Sequence, residues 1–330
     1  MGKTGRENKR RSYRLRMQYF EYLHKTAEKV DPFVKNFVGS HFLLFPEIRE
    51  RLLQRYRLGM PQLRPATVRL AYELVGGKNW HDIIPVCGAI EVKDTAYYCL
   101  DDVIDKEADS ALLLQAVGLY SIANTMACDI GNRISQDCFQ HFLREMSQLD
   151  ENTLQGAAID LSLHGTDEAY YMLKAEGYNF WKWALRIGGI LGKGTDSEII
   201  LLGEIGKKIG MAHIIANDTW DFGKKLEDFR QGKSTLPIIF VREQAPQANW
   251  ETLHPLFGKR KLSTVEIDTV RRIMVQSGAI AYGKTKAFAL CAEAIELLQQ
   301  FPESQARLLL EFSTTYTQKN KYYSVLKKYE

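Results

Sequence analysis

The stretch Tyr97–Glu107, YYCLDDVIDKE, sets Asp101, Asp102 and Asp105 at the end of a segment that is otherwise apolar and aromatic. Residues four apart share one face of a helix, so Asp101 and Asp105 project together, whereas Asp102 points about 100° away. Clustered carboxylates repel one another in a low-dielectric setting unless a cation binds them. The stretch therefore predicts a cation site at the end of an apolar helix.

A second acidic group, Asn217–Asp221 or NDTWD, repeats this spacing after a largely apolar stretch. One such group alone is more often a solvated helix end or N-cap, but two copies on apolar helices favour ligands pooled from facing helices in a bundle core. Oxygen ligands without His or Cys favour Mg²⁺, which typically bridges carboxylates to substrate phosphates. The predicted metal ligands are Asp101, Asp105, Asn217 and Asp221, with Asp102 and Asp218 beside them as catalytic candidates.

The surrounding chain predicts an all-α fold. No proline occurs between Pro85 and Pro237, and apolar residues recur at helical spacing through most of that span. Capping residues predict helix starts near residues 32, 167 and 196, the first with Asp31 as the cap and Pro32 in the first turn. No shift in composition divides the chain, so we expect a basic arm over residues 1–16 and a single domain over residues 17–330.

Composition excludes several classes of protein. The 330 residues are 45% hydrophobic and 25% charged, which suits a globular protein, and the net charge of +4 is too small to indicate a nucleic-acid partner. The five cysteines form no CxxC pair, which favours a reducing cytoplasm. No apolar run reaches transmembrane length, so stable membrane insertion is not expected. The basic arm is read as a solvated tail, with contact to an anionic membrane or an acidic partner as the alternative.

The two acidic groups, DDVID and NDTWD, resemble the paired aspartate-rich motifs of the trans-isoprenyl diphosphate synthases, the polyprenyl synthetase superfamily. Three further segments support the resemblance. Asp228–Pro237, DFRQGKSTLP, is similar to the DxREGKxTLP stretch of that family. Leu63–Pro65 followed by Glu73–Gly77 resembles its LRP and ELVGG elements, and Gly156–Leu161 resembles its GQxLDL.

This resemblance implies the isoprenoid synthase fold, a helical bundle around a deep apolar pocket, and a homodimer is the expected assembly. There, three Mg²⁺ ions would bind an allylic prenyl diphosphate of ten to twenty carbons and promote its departure. Lys233 and Arg64 match diphosphate-binding positions, and the family's Lys-Thr pair falls on Glu176–Gly177 or, with a two-residue slip, on Lys174–Ala175. The candidate pocket-lining residues are Ala96, Tyr97, Tyr98, Tyr178, Phe180, Trp181, His213 and Trp220. Plain core packing is the alternative for each of them.

The sequence departs from the family at the positions that bind isopentenyl diphosphate. The family's lysine there is Pro61, its His or Gln is Asp94, and its Arg-Arg-Gly run is absent from Lys106–Ala111, so only Arg64 remains. A carboxylate repels a diphosphate. The sequence therefore favours a terpene synthase that cyclises the carbocation or eliminates a proton. The alternatives are a trans-prenyltransferase, using isopentenyl diphosphate or a non-isoprenoid acceptor, and a non-catalytic subunit of a prenyl synthase.

Overall fold

The computed structural model describes residues 2–41, 46–56, 63–104, 110–161, 167–316 and 325–330. Within these ranges the regular elements are α-helices and short 3₁₀ turns, without strands, and the all-α prediction is confirmed. The α-helices are α1 Gly2–Gly39, α2 Pro46–Arg55, α3 Leu63–Leu74, α4 Ile84–Ile104, α5 Leu112–Cys128, α6 Gln136–Leu161, α7 Glu168–Gly177, α8 Phe180–Leu191, α9 Asp196–Asp221, α10 Glu227–Gln231, α11 Leu236–Glu243, α12 Gln247–Leu253, α13 Thr264–Gln276, α14 Ala279–Leu298 and α15 Gln305–Tyr316.

The chain folds into two compact units. The first unit comprises Met1–Leu149, Phe180–Gly206 and Leu298–Ser313, and the second comprises Asp150–Asn179, Lys207–Leu297 and Thr314–Glu330. Each unit has its own cluster of buried apolar side chains. The division into an arm over residues 1–16 and a single domain over residues 17–330 stays a prediction.

In the first unit, α3 and α8 run side by side in the same direction. Glycine makes this packing possible, because a Cβ atom at Gly188 would lie 2.7 Å from the Cβ of Ala71 and closer still to the carbonyl oxygen of Val68. The close approach continues at Gly192, where a Cβ would lie 2.7 Å from the Tyr72 carbonyl oxygen. The two helices therefore begin next to each other, which brings the start of α8 to the start of α3.

The predicted helix start near residue 32 is wrong. Helix α1 runs from Gly2 to Gly39 and passes through Pro32. A proline inside a helix costs about 3 kcal/mol, because it lacks an N–H and crowds the preceding turn. Val30, Val34 and Val38 are fully buried on one face of α1, and this burial offsets the cost.

The other two predicted starts are confirmed. Helix α7 begins at Glu168, and the Asp167 carboxylate caps it by accepting the backbone N–H of Tyr170 at 3.0 Å. Helix α9 begins at Asp196, where the Glu198 carboxylate accepts the backbone N–H of Thr195 at 2.7 Å. These are short-range capping bonds between neighbouring residues, which explains why the sequence alone locates them.

Among the helices that the structure describes, none combines the length and the apolar character needed to cross a membrane.

Candidate active site

The first acidic motif lies at the end of α4, in the first unit. Asp101 and Asp102 occupy the last turn of this helix and are half-buried, while Asp105 lies outside the described residues. Helical spacing places Tyr98 and Asp94 on the same face as Asp101, about one turn and two turns earlier respectively. This face of α4 is referred to below as the motif face.

Arg64 at the start of α3 packs against the motif face. Its guanidinium forms an ion pair with the Asp94 carboxylate at 3.0 Å and donates to the Tyr98 hydroxyl at 3.0 Å. The same group lies 5.6 Å from the Tyr98 ring centre and 5.8 Å from that of Phe180, within the range of a cation–π contact. Arg64 is therefore held by a carboxylate and two aromatic rings, and the positive charge predicted to bind diphosphate is internally neutralised.

Two buried carboxyl groups adjoin Arg64. Burial raises the pKa of Asp94, and the nearby guanidinium only partly opposes this. Burial also raises the pKa of Glu91 to about 7, again against the opposing charge of Arg64. The Glu91 Oε2 atom is buried and accepts no hydrogen bond from the residues that the structure describes. The surroundings of the first motif thus hold more acidic groups than one arginine satisfies.

The pocket-lining candidates of the first unit differ in exposure. Ala96 and Trp181 are buried, Tyr97 and Phe180 are half-buried against the apolar core, and Tyr98 is exposed. Tyr97 meets Tyr120 of α5 edge-to-face, with ring centres 6.3 Å apart. Ala96 and Trp181 thus agree with the core-packing alternative, while Tyr98 and Phe180 border the motif face.

The second acidic motif lies at the end of α9, in the second unit. Asn217 is exposed, whereas Asp218 and Asp221 are buried. The hydroxyl of Tyr171 in α7 donates to Asp218 Oδ2 at 2.8 Å. Asp221 Oδ2 accepts the backbone N–H of Asp228 at 3.3 Å. Two carboxylates are therefore held on the inner side of α9, and the amide of Asn217 lies at the surface.

The ionised forms of these buried carboxylates are stabilised when a cation binds next to them. Burial and the negative charge of Asp228 raise the pKa of Asp218 to about 7 and that of Asp221 to about 6. Hard carboxylate oxygens suit Mg²⁺, so the donor chemistry fits this ion. No group of three or more His, Cys, Asp or Glu residues is assembled into a ready metal site within the described ranges.

Two lysines of the second unit converge on Asp160 of α6. Lys174 of α7 donates to Asp160 Oδ1 at 3.0 Å, and Lys233 lies 3.4 Å from Asp160 Oδ2. Glu176, the other candidate for the family's lysine position, instead pairs with Lys207 at 2.9 Å. The alignment of the family's lysine with Lys174 therefore fits the geometry better than its alignment with Glu176, because Lys174 and Lys233 contact the same carboxylate.

The remaining candidates of the second unit also lie near α9. His213 and Trp220 are half-buried and meet edge-to-face, with ring centres 6.4 Å apart. Tyr178, just after α7, is half-buried. Gly283 of α14 packs so closely against Thr219 that a Cβ atom would overlap its hydroxyl. The motif end of α9 is thus fixed by helix packing.

Sequence reasoning missed three residues that lie around the second motif or contact its neighbours. Asp160 and Tyr171 bind the predicted site residues directly, and Arg271 of α13 donates to the carbonyl oxygens of Phe222 and Lys224 at 2.8 and 3.1 Å, just beyond the motif. Asp160 falls within the GAAIDL segment, where its charge inside an apolar stretch was an available signal. Neither Tyr171 nor Arg271 belongs to a recognisable pattern.

The sequence matches the polyprenyl synthetase family over residues 47–274, which include both acidic motifs and the DFRQGKSTLP segment. The chain belongs to this family. The match covers well over half of the chain and confirms the resemblance seen in the motifs. This member of the polyprenyl synthetase family is an enzyme of the isoprenoid synthase and prenyltransferase type.

Similar proteins include prenyl diphosphate synthases from several archaea. A geranylgeranyl diphosphate synthase of Saccharolobus solfataricus is 23% identical over 313 residues, covering 86% of this chain and 92% of its own length. A short chain isoprenyl diphosphate synthase of Methanothermobacter thermautotrophicus is 26% identical over 320 residues, covering 88% of this chain and 95% of its own length. These names support the prenyltransferase alternative and give no support to the cyclase reading that the sequence put first.

Solved structures confirm the fold. A geranylgeranyl pyrophosphate synthetase of Pyrococcus horikoshii Ot3 matches with a TM-score of 0.82 at 21% identity, covering 92% of this chain and 99% of that one. A polyprenyl synthase of Caulobacter crescentus, complexed with calcium and isoprenyl diphosphate, matches with a TM-score of 0.79 at 20% identity, covering 92% and 98%. The isoprenoid synthase fold predicted from the motifs is therefore established.

Proposed function

We propose that this polyprenyl synthetase family member is a Mg²⁺-dependent trans-prenyltransferase. It ionises an allylic prenyl diphosphate of ten to twenty carbons and transfers the prenyl group to isopentenyl diphosphate, giving a longer prenyl diphosphate and releasing inorganic diphosphate and a proton. The names of its relatives, several of them geranylgeranyl diphosphate synthases, support this reaction class.

The convergence of Lys174 and Lys233 on Asp160 is the observation that carries the proposal. Both lysine side chains are largely shielded from water, since only 13% and 19% of their side-chain surface is exposed. The Lys174 ammonium has three N–H donors, and its hydrogen bond to Asp160 uses one of them. A pair of converging, shielded cations suits a diphosphate leaving group.

We propose that Asp101, Asp105, Asn217 and Asp221 hold Mg²⁺, with three ions when the diphosphate is bound. The metal supplies positive charge that stabilises the departing diphosphate. Asp218 is less available as a metal ligand, since one of its carboxylate oxygens accepts a hydrogen bond from the Tyr171 hydroxyl. Asp102 stays a candidate for an outer contact to the same ions.

A terpene synthase reaction is the second candidate, and the Arg64–Asp94 ion pair favours it. An acceptor that carries a diphosphate must compete with Asp94 for the guanidinium. Each charge-assisted hydrogen bond contributes about 1.5–3 kcal/mol to binding. The protein therefore binds a diphosphate-bearing acceptor considerably more weakly when Asp94 neutralises Arg64. Cyclisation or elimination needs no anionic acceptor. The accessory-subunit alternative requires neither the paired lysines nor two acidic motifs.

Product analysis tests these readings. The protein is incubated with Mg²⁺ and geranyl, farnesyl or geranylgeranyl diphosphate, each with and without isopentenyl diphosphate, and an Asp221→Asn variant is the control with weakened metal binding. We expect longer prenyl diphosphates only when isopentenyl diphosphate is present. Hydrocarbons or alcohols formed without it would overturn the transferase in favour of the second candidate, and no product in any reaction would overturn both.

Two further properties belong to the proposal. All five cysteines are free thiols, which supports the reducing cytoplasm inferred from the sequence. A homodimer is the proposed assembly, and light scattering coupled to size-exclusion chromatography would measure it.

A further inference from the structure

Asp160 has no assigned role, yet it contacts both predicted diphosphate lysines. Its side chain is 12% exposed, and its two carboxylate oxygens serve different partners, Lys174 on α7 and Lys233 in the segment between α10 and α11. Because both ammonium nitrogens touch one carboxylate, they lie within the span of a single diphosphate group. The carboxylate thus sets the distance between two cations that come from separate elements.

The electrostatics explain why such a carboxylate is needed. Two ammonium groups at this separation repel each other, and the repulsion is stronger away from water. Burial would raise the pKa of Asp160, but the charges of Lys174 and Lys233 outweigh it and hold that pKa below its usual range. Burial would likewise lower the pKa of Lys174, but Asp218 and Asp160 raise it instead. Asp160 and Lys174 therefore both carry charge near neutral pH.

Helix packing fixes this arrangement before any ligand binds. Helices α6 and α7 meet backbone to backbone at Gly156 and Gly177, where a Cβ atom at 177 would lie 2.6 Å from the Gly156 Cα. Gly156 precedes Asp160 by one turn, and Gly177 follows Lys174 by almost one turn. The distance between the carboxylate and the first ammonium is therefore determined by a close contact that only glycine permits.

We propose that Asp160 is a positioning residue that holds the ammonium groups of Lys174 and Lys233 at the spacing required to bind the substrate diphosphate. Asp160 itself does not touch the substrate. The inference rests on the proposed function, since it assigns the two lysines to the diphosphate. It predicts that removing the carboxylate weakens anion binding, although a simple count of charges predicts the opposite.

The test measures binding of inorganic diphosphate by isothermal titration calorimetry, with and without Mg²⁺, to the wild type and to Asp160→Asn. We expect the affinity of Asp160→Asn to fall about tenfold, and the KM for the allylic diphosphate to rise by a similar factor. Asp160→Glu should recover part of the affinity. Asp167→Asn is the control, because it removes one carboxylate charge at the start of α7, where Asn can still cap the helix, without touching either lysine.

A double-mutant cycle separates positioning from a general structural effect. In a Lys174→Ala, Lys233→Ala background, the Asp160→Asn change should have little further effect on diphosphate affinity. An equal loss in both backgrounds, or unchanged or tighter binding by Asp160→Asn, would overturn the positioning role. If the wild type binds neither inorganic nor allylic diphosphate, the proposed function itself fails, which is a distinguishable outcome. A chemical unfolding curve for each variant confirms that it is folded.

Discussion

Arg64 and Asp94 form a 3.0 Å ion pair beside the first acidic motif. The arginine is the residue that survives from the family's basic acceptor site, and the aspartate stands where the family has a His or Gln. The sequence predicted that Asp94 would repel a phosphate. The structure adds that Asp94 also forms an ion pair with the Arg64 guanidinium, which would otherwise attract a phosphate.

Asp94→Asn should release Arg64 for an anionic ligand. We expect the KM for isopentenyl diphosphate to fall about tenfold, because a regained charge-assisted hydrogen bond is worth about 1.5–3 kcal/mol, while the KM for the allylic substrate stays unchanged. Steady-state kinetics with each substrate varied in turn measures both values. The exposed Asp137, changed to Asn, is the control. An unchanged KM for isopentenyl diphosphate would show that Arg64 does not face this acceptor.

Glu91 should make stability depend on pH. Its pKa is raised from 4.5 to about 7 in the folded protein, so the protonated form is favoured by folding. The associated stability is fully present below pH 4.5 and is lost as the pH rises through 7. Glu91→Gln should therefore match the wild type near pH 4.5 and exceed it at pH 8 by about 1–3 kcal/mol. Urea unfolding at both pH values checks this.

Glu28→Gln on the exposed face of α1 serves as the control for that comparison. It removes one exposed carboxylate and so measures what the loss of a surface charge alone does to the free energy of unfolding. If the free energy of unfolding of Glu91→Gln changes with pH as steeply as that of the wild type, then Glu91 is ionised in the folded protein. Its burial would then not govern its titration.

Gly177→Ala should loosen the contact between α6 and α7. The new Cβ atom would lie 2.6 Å from the Gly156 Cα, so one backbone has to move, and we expect a loss of about 1–3 kcal/mol in the free energy of unfolding. Gly39→Ala is a matched control, since Gly39 also ends a helix and a Cβ there meets nothing within 4 Å. Equal stability of the two variants would contradict the close packing.

Removal of metal should abolish catalysis. We expect EDTA to stop product formation and excess Mg²⁺ to restore it, because the buried carboxylates of the second motif suit a hard divalent cation. Asp221→Asn should raise the Mg²⁺ concentration for half-maximal rate about tenfold or more. Asp196→Asn, at the exposed start of the same helix, should leave that concentration unchanged. Full activity in EDTA would exclude the metal role of both motifs.

The sequence by itself determined the helical class, the two capped helix starts at residues 167 and 196, and the family. These properties depend on side chains close together along the chain: apolar spacing, capping residues and short motifs. It put cyclisation first because it could count the missing basic residues, whereas the relatives support prenyl transfer. It also placed a helix start near residue 32, with Asp31 as the cap, because the cost of a proline inside a helix is local and the burial that offsets this cost is not.

Only the tertiary structure decided which charges meet. Arg64 and Asp94 are 30 positions apart, and Lys174 and Lys233 both reach Asp160 from other segments. Such contacts depend on how closely helices pack, and here the packing depends on glycines such as Gly177 and Gly188 that carry no charge and form no motif. A charged residue in the sequence shows what chemistry is available, but its partner in the fold decides whether that charge is available to a substrate.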